Sequence, residues 1–129
     1  MNKVVHFEIP FENEERAKKF YQSAFGWQIL KSPDMDYNMV TTVETDQQTM
    51  MPKTPGAING GLMKRDSATG SHPVVVIDVP NVDAHLKQIE AAGGKVVMPK
   101  MDVGDVGLYA RVKDTEGNVI GIWQNKLKQ

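Results

Sequence analysis

Two side chains that can move a proton, His6 and Glu8, stand two residues apart in the opening segment VVHFEIPF. Period-two alternation puts both on one face of a strand, with Val5, Phe7, Ile9 and Phe11 on the other. A histidine so placed can hydrogen-bond a ligand or act as a base near neutral pH. A carboxylate on an apolar face is a candidate general base. The competing reading is structural: a satisfied histidine on a half-buried strand, and a glutamate paired or exposed at the strand end. Further along, Trp123 alternates with Gly121 and Met63 follows Gly61. Tyr109 and Arg111 alternate with Leu108, Ala110 and Val112, which read as core. Tyr37 and Met39 complete the set. Aromatic and methionine side chains with a few polar tips suit a small-molecule pocket, and Arg111 could anchor an anion. The same residue types suit a subunit interface. The glycines at 60, 61 and 121 mark either close backbone approach or space cleared for a ligand. GAINGG lacks the Gly-Lys-Ser/Thr ending of a phosphate loop.

The elements that must position these residues are written twice. Shifted by 68 positions, HFEIPFENEERAKKFYQSAFGWQI falls without a gap on VVVIDVPNVDAHLKQIEAAGGKVV. Ile9 meets Ile77, Asn13 meets Asn81, Tyr21 meets Ile89 and Gly26 meets Gly94. Asn13 can cap a helix, with Glu14 and Glu15 in its positive first turn. Ala17, Phe20, Tyr21 and Ala24 make its apolar stripe, and Gly26 is a natural stop. In the second copy Asn81 caps, Val82, Leu86 and Ile89 form the stripe, and Gly93-Gly94 ends it. His85 reads as boundary packing. Strands are predicted at Trp27–Lys31, Tyr37–Thr42 and Ile58–Lys64, then at Lys95–Met98, Gly107–Lys113 and Val119–Gln124. Asp46–Gly56, with Met50-Met51, reads as a loop and a possible flap, Arg65–Ser71 as a linker, and Lys126–Gln129 as a frayed tail.

The predicted class is therefore α+β: two tandem βαβββ modules, about 1–66 and 71–126, in a single domain over 1–129. A four-stranded sheet with one helix covers only one face. Two side by side imply a curved, mixed eight-stranded sheet with a concave cup and the helices outside.

Composition narrows the function classes. Lys+Arg is 15 and Asp+Glu is 16, with no basic tract, so nucleic acid is not the expected partner. There are no cysteines, which removes disulfides, thiolate metal sites and a cysteine nucleophile. No segment approaches the roughly 20 apolar residues that span a bilayer. A cytoplasmic protein without a membrane partner is expected.

HFEIPFENEERAKKFYQSAFGW, VIDVPNVDAHLKQIEAAGGKVV and DTEGNVIGIWQ together resemble the vicinal oxygen chelate superfamily of glyoxalase I, extradiol dioxygenases and bleomycin-binding proteins. The resemblance covers nearly the full length. It implies a divalent ion held by His or Glu at four strand positions, two per half. Residue by residue these fall on His6, Gly61, Val74 and Gly121. Only His6 has a donor, and a metal site needs at least three protein ligands. No cofactor is expected, unless a displaced set of His6, Glu8 and His72 holds a metal.

Three functions fit. The leading one is a glyoxalase-like protein without an intact metal site, binding a small organic molecule in the cup. Its ligand-binding residues are His6, Tyr37, Met39, Met63, Tyr109, Arg111 and Trp123. The second is an enzyme, a lyase or isomerase using His6 or Glu8, or a displaced-metal enzyme. The third is a dimeric interaction module. A homodimer is expected on all three, from the resemblance.

Overall fold

The computed structural model describes residues 1–33, 35–67 and 71–126, and the chain divides into two compact units. The first unit is His6–Pro73; the second is Val74–Gln129 together with Met1–Val5. The elements run β1 (Val4–Phe11), α1 (Glu14–Phe25), β2 (Gln28–Lys31), β3 (Asn38–Thr41) and β4 (Asn59–Lys64). There follow β5 (Val74–Asp78), α2 (Val82–Ala91), β6 (Lys95–Val103), β7 (Gly107–Lys113) and β8 (Val119–Asn125). The class is α+β, and the βαβββ order occurs twice, as the repeat predicts.

The two units share one strand order. In the first it is β2-β3-β4-β1, with β1 parallel to β4 and the other pairs antiparallel. In the second it is β5-β8-β7-β6, with β5 parallel to β8 and the rest antiparallel. The parallel pair exists because a helix and two strands separate its members, long enough for a crossover.

Both helices start as the sequence dictates. The Asn13 side chain accepts from the Arg16 N–H at 2.9 Å, and that of Asn81 from the Ala84 N–H at 2.8 Å. Such caps are each worth about 1 kcal/mol. Gly26 ends α1 at φ 70°, a conformation that only glycine adopts without strain.

Each unit has its own apolar core on the helix side of its sheet. In the first, Phe11, Ile29, Val40 and Leu62 are buried, with Phe7, Ile9, Ala17, Tyr21 and Trp27 packed against them. In the second, Val79, Val82, Ala110 and Ile122 are buried under Leu86, Ile89 and Leu108. Alternation then puts His6 and Glu8, and likewise Tyr109 and Arg111, on the sheet face away from the helix.

Three expectations need correction. The α1 stripe is only partly inward: Phe20 is 57% exposed and Ala24 is exposed, because the sheet beneath reaches only Ala17 and Tyr21. Strand β6 continues past Met98 to Val103, with register shifts between Val96, Met98 and Met101. These irregularities carry the strand past Pro99, which has no N–H to donate. Lys126 is tied down, its Nζ 2.8 Å from Asp102 and its N–H on the Val106 carbonyl. Residues 127–129 of the expected tail and 68–70 of the expected linker lie outside the described residues. The Asp46–Gly56 loop contains one bridge partner, Pro52, paired with Thr45, and Met50 at φ 60°. Among the described residues no helix is long and apolar enough to cross a membrane.

Candidate functional site

In the first unit, cross-strand register lays out the face away from α1. Leu30 lies opposite Met39, Met39 opposite Gly61, and Gly61 opposite Glu8. This row runs from solvent to interior: Leu30 is 71% exposed, Met39 44% and Glu8 5%. Met63, next along β4 on the same face, is buried. Tyr37, just before β3, crosses this row diagonally. Its hydroxyl lies 2.8 Å from His6 Nε2, and the two rings are near-parallel at 17°.

Gly61 makes this crossing possible. A Cβ built on Gly61 would run into the Tyr37 hydroxyl and ring carbon Cζ. The space a side chain at 61 would need is filled by the tyrosine. The glycines therefore leave no void for a ligand, contrary to one of the two sequence readings. A Cβ on Gly60 would likewise meet the Phe7 ring at 2.5 Å, on the core side.

His6 is half-buried. Burial pushes its pKa below the ordinary 6.5, partly opposed by the negative charge of Glu8. The neutral ring is thus favoured, and its Nε2 can accept from the tyrosine hydroxyl or donate to it, depending on the tautomer.

The second unit repeats the arrangement with different partners. Arg111 lies opposite Gly121 on β8 as Met39 lies opposite Gly61 on β4. Tyr109 stands two residues before Arg111, as Tyr37 stands two before Met39. A Cβ on Gly121 would meet the Tyr109 hydroxyl at 2.5 Å. That hydroxyl accepts from Arg111 Nε at 3.2 Å, and the guanidinium stands 5.6 Å from the ring centroid. Arg111 is 5% exposed, which is unusual for an arginine on a strand. Trp123 is half-buried, faces Tyr109 across the β7–β8 pair and covers Gly107. Val74, where the repeat of His6 falls, is 1% exposed and offers no donor.

The structure thus gathers His6, Tyr37 and Gly61 in one unit, with Glu8, Met39 and Met63 along the same face. In the other it gathers Tyr109, Arg111, Gly121 and Trp123. His72 is exposed, and among the described residues no three His, Asp or Glu side chains come together. The displaced set of His6, Glu8 and His72 therefore does not converge. Sequence reasoning missed Leu30, although Ile29 inward in QILK implies an apolar Leu30 on the opposite face. It also missed that Tyr37 and Gly61 form one feature, which only the β3–β4 register reveals.

The model of the Glyoxalase/Bleomycin resistance protein/Dioxygenase superfamily matches residues 3–122. CFP32 of Mycobacterium bovis, a provisionally assigned glyoxylase, is 32% identical over 118 residues, 87% of this chain. The Mycobacterium tuberculosis protein of the same name matches equally, and the chain spans only 41% of the length of either relative. Among solved structures, a Streptomyces coelicolor methylmalonyl-CoA epimerase variant in complex with 2-nitronate-propionyl-CoA superposes with TM-score 0.66. Its identity is 14%, over 100% of this chain and 99% of that one. A superfamily member from Vibrio splendidus 12B01 gives TM-score 0.63 at 13% identity, over 97% of this chain and 100% of that one. At such identities these structures speak for the fold alone.

Two outcomes follow from the geometry. Gly61→Ala should cost about 1–3 kcal/mol in urea unfolding, because the added methyl must displace Tyr37. In the presence of Tyr37→Ala the same change should cost clearly less; strict additivity would show that the two do not touch. His6 carries a pH signature. Its folded pKa lies below 6.5, so the unfolded chain binds the proton first. Wild type should lose stability relative to His6→Gln as pH falls from about 6.5 through the folded pKa, and keep a constant difference above that window. Parallel stability curves from pH 7.5 to 5 would contradict the burial.

Proposed function

The chain belongs to the Glyoxalase/Bleomycin resistance protein/Dioxygenase superfamily, and we propose that it binds a small organic molecule without a divalent metal ion. One observation carries this reading. The Tyr37 hydroxyl fills the space over Gly61 and bonds to His6 Nε2, so the histidine already has a partner within its own unit. Of the four strand positions that the resemblance assigns to metal, Gly61, Val74 and Gly121 have no donor atom in their side chains. These residues do not fit a metal, and no step is routed through one.

In this reading the ligand lies along the Leu30–Met39 side of the first unit's sheet. Leu30, Met39 and Met63 supply adaptable apolar contact, and Tyr37 with His6 supplies the polar end. In the second unit Tyr109, Arg111 and Trp123 form a matching aromatic and cationic set, suited to an anionic or aromatic ligand. The proposal keeps the protein cytoplasmic, with no nucleic-acid or membrane partner.

The burial of Glu8 beside the neutral-leaning His6 favours one second reading, proton transfer to or from a bound substrate. Glu8 or His6 would then be the base of a metal-independent lyase or isomerase. That some neighbours in fold are epimerases is compatible with this chemistry and does not establish it.

The test is thermal unfolding of chelator-treated protein with Ni, Zn, Mn, Co or Fe(II) ions, and separately with phenol, indole or benzoate as probes. Metal content is assayed alongside. We expect no shift by any ion, and a shift by at least one organic probe that His6→Ala and Tyr37→Ala weaken. Stabilisation by one ion near 1:1 stoichiometry would overturn the proposal. Turnover of a substrate that His6→Ala leaves unchanged would count against the proton-transfer reading.

A further inference from the structure

Tyr37 and Tyr109 make the same crossing but are held differently. Tyr109 lies inside β7 and pairs with Trp123 on one side and Met101 on the other. Tyr37 lies just before the first residue of β3, outside both of that strand's ladders. Its carbonyl accepts from the Ser32 N–H at 2.8 Å, and its N–H donates to the Met35 carbonyl at 2.9 Å. Two backbone bonds within a turn fix a side chain less firmly than two ladders do.

The residues on either side of Tyr37 supply what the ladders do not. Asp36 bonds to Lys31 Nζ at 2.8 Å, and Lys31 Nζ to Glu14 Oε1 at 3.2 Å. Asn38 Nδ2 donates to the same Glu14 oxygen at 3.2 Å. The circuit Asp36–Lys31–Glu14–Asn38 therefore closes on both neighbours of Tyr37 and ties them to the first residue of α1. Lys31, and after it Asn38, hold the Glu14 carboxyl below its ordinary range, so it is ionised at neutral pH.

The fold does not require this circuit, as the second unit shows. Glu14 falls on Val82 under the 68-residue shift, and Asn38 falls on Ala110 when Tyr37 is set on Tyr109. Val82 and Ala110 are fully buried and belong to one apolar cluster. Where the second unit has a methyl group, the first has an amide that is 1% exposed. Among the described residues the Asn38 Oδ1 has no hydrogen-bond partner. A buried polar atom in that state lowers stability, and an apolar pair would not. We propose that Glu14 and Asn38 are positioning residues for the Tyr37–His6 pair. They hold the tyrosine over Gly61 at a cost in stability, and the start of α1 thereby sets the geometry of the site. The inference rests on the ligand site proposed above.

The test copies the second unit into the first. Glu14→Val with Asn38→Ala should fold, by circular dichroism, and unfold in urea no earlier than wild type. Its His6 Nε2 resonance should nevertheless move toward that of Tyr37→Phe. The dissociation constant for whichever of phenol, indole and benzoate binds wild type should rise about tenfold, the worth of one ordered hydrogen bond. Lys31→Met changes a half-exposed side chain, opens the circuit without touching the core, and should move Nε2 the same way by less. Glu14→Gln keeps an acceptor for Asn38 and should stay nearer wild type than Glu14→Val. An Nε2 resonance at its wild-type position in both the apolar pair and Lys31→Met would overturn the proposal. So would an apolar pair whose only change is earlier unfolding, since Glu14 and Asn38 would then serve the fold alone. The two readings fail separately: if no probe binds wild type, the binding reading falls, and the Nε2 shift still decides this one.

Discussion

The approach of the Tyr37 hydroxyl over Gly61 to His6 organises the face of the first unit's sheet away from α1. A tyrosine can cross the neighbouring strand only where that strand has no side chain, so Gly61 is a requirement of Tyr37. In turn the hydroxyl holds one nitrogen of the histidine at 2.8 Å. A polar pair of this kind on a sheet face must satisfy itself, because an unpaired buried donor or acceptor costs about 1–3 kcal/mol. The pairing gives the histidine Nε2 and the tyrosine hydroxyl a partner inside the unit.

The second unit shows that the arrangement is a property of the repeat. Tyr109 over Gly121 has the same register as Tyr37 over Gly61, but Val74 replaces the histidine, and the hydroxyl takes its hydrogen bond from Arg111. One backbone design thus carries two polar tips, an imidazole in one unit and a guanidinium in the other. The difference follows from two side-chain changes at equivalent positions, His6 against Val74 and Met39 against Arg111. The same comparison separates the helices: α2 has a polar outer face where α1 has an aromatic one.

Much of the fold was legible in the sequence because its signals are local. Asn13 and Asn81 as caps, Gly26 as a stop and the alternation around Phe7 and Ile9 depend on a few neighbouring residues. The extension of β6 past Pro99 was not, since two register shifts restore pairing that the sequence pattern does not show. For the site, residue types were readable and contacts were not. His6, Tyr37, Met39 and Met63 could be placed on one face by parity. That Tyr37 and Gly61 are halves of one contact depends on the register between β3 and β4, which chain-local patterns do not encode. The burial of Arg111 was likewise not readable, because it comes from tertiary surroundings and not from the local pattern.

The account rests on the state of one nitrogen, and long-range proton–nitrogen NMR of the His6 ring reads it directly. The account predicts that Nε2 keeps its shift when Zn is added and moves when Tyr37 is replaced by Phe. An Nε2 that takes on a metal-coordination shift with Zn, and ignores Tyr37→Phe, would contradict it.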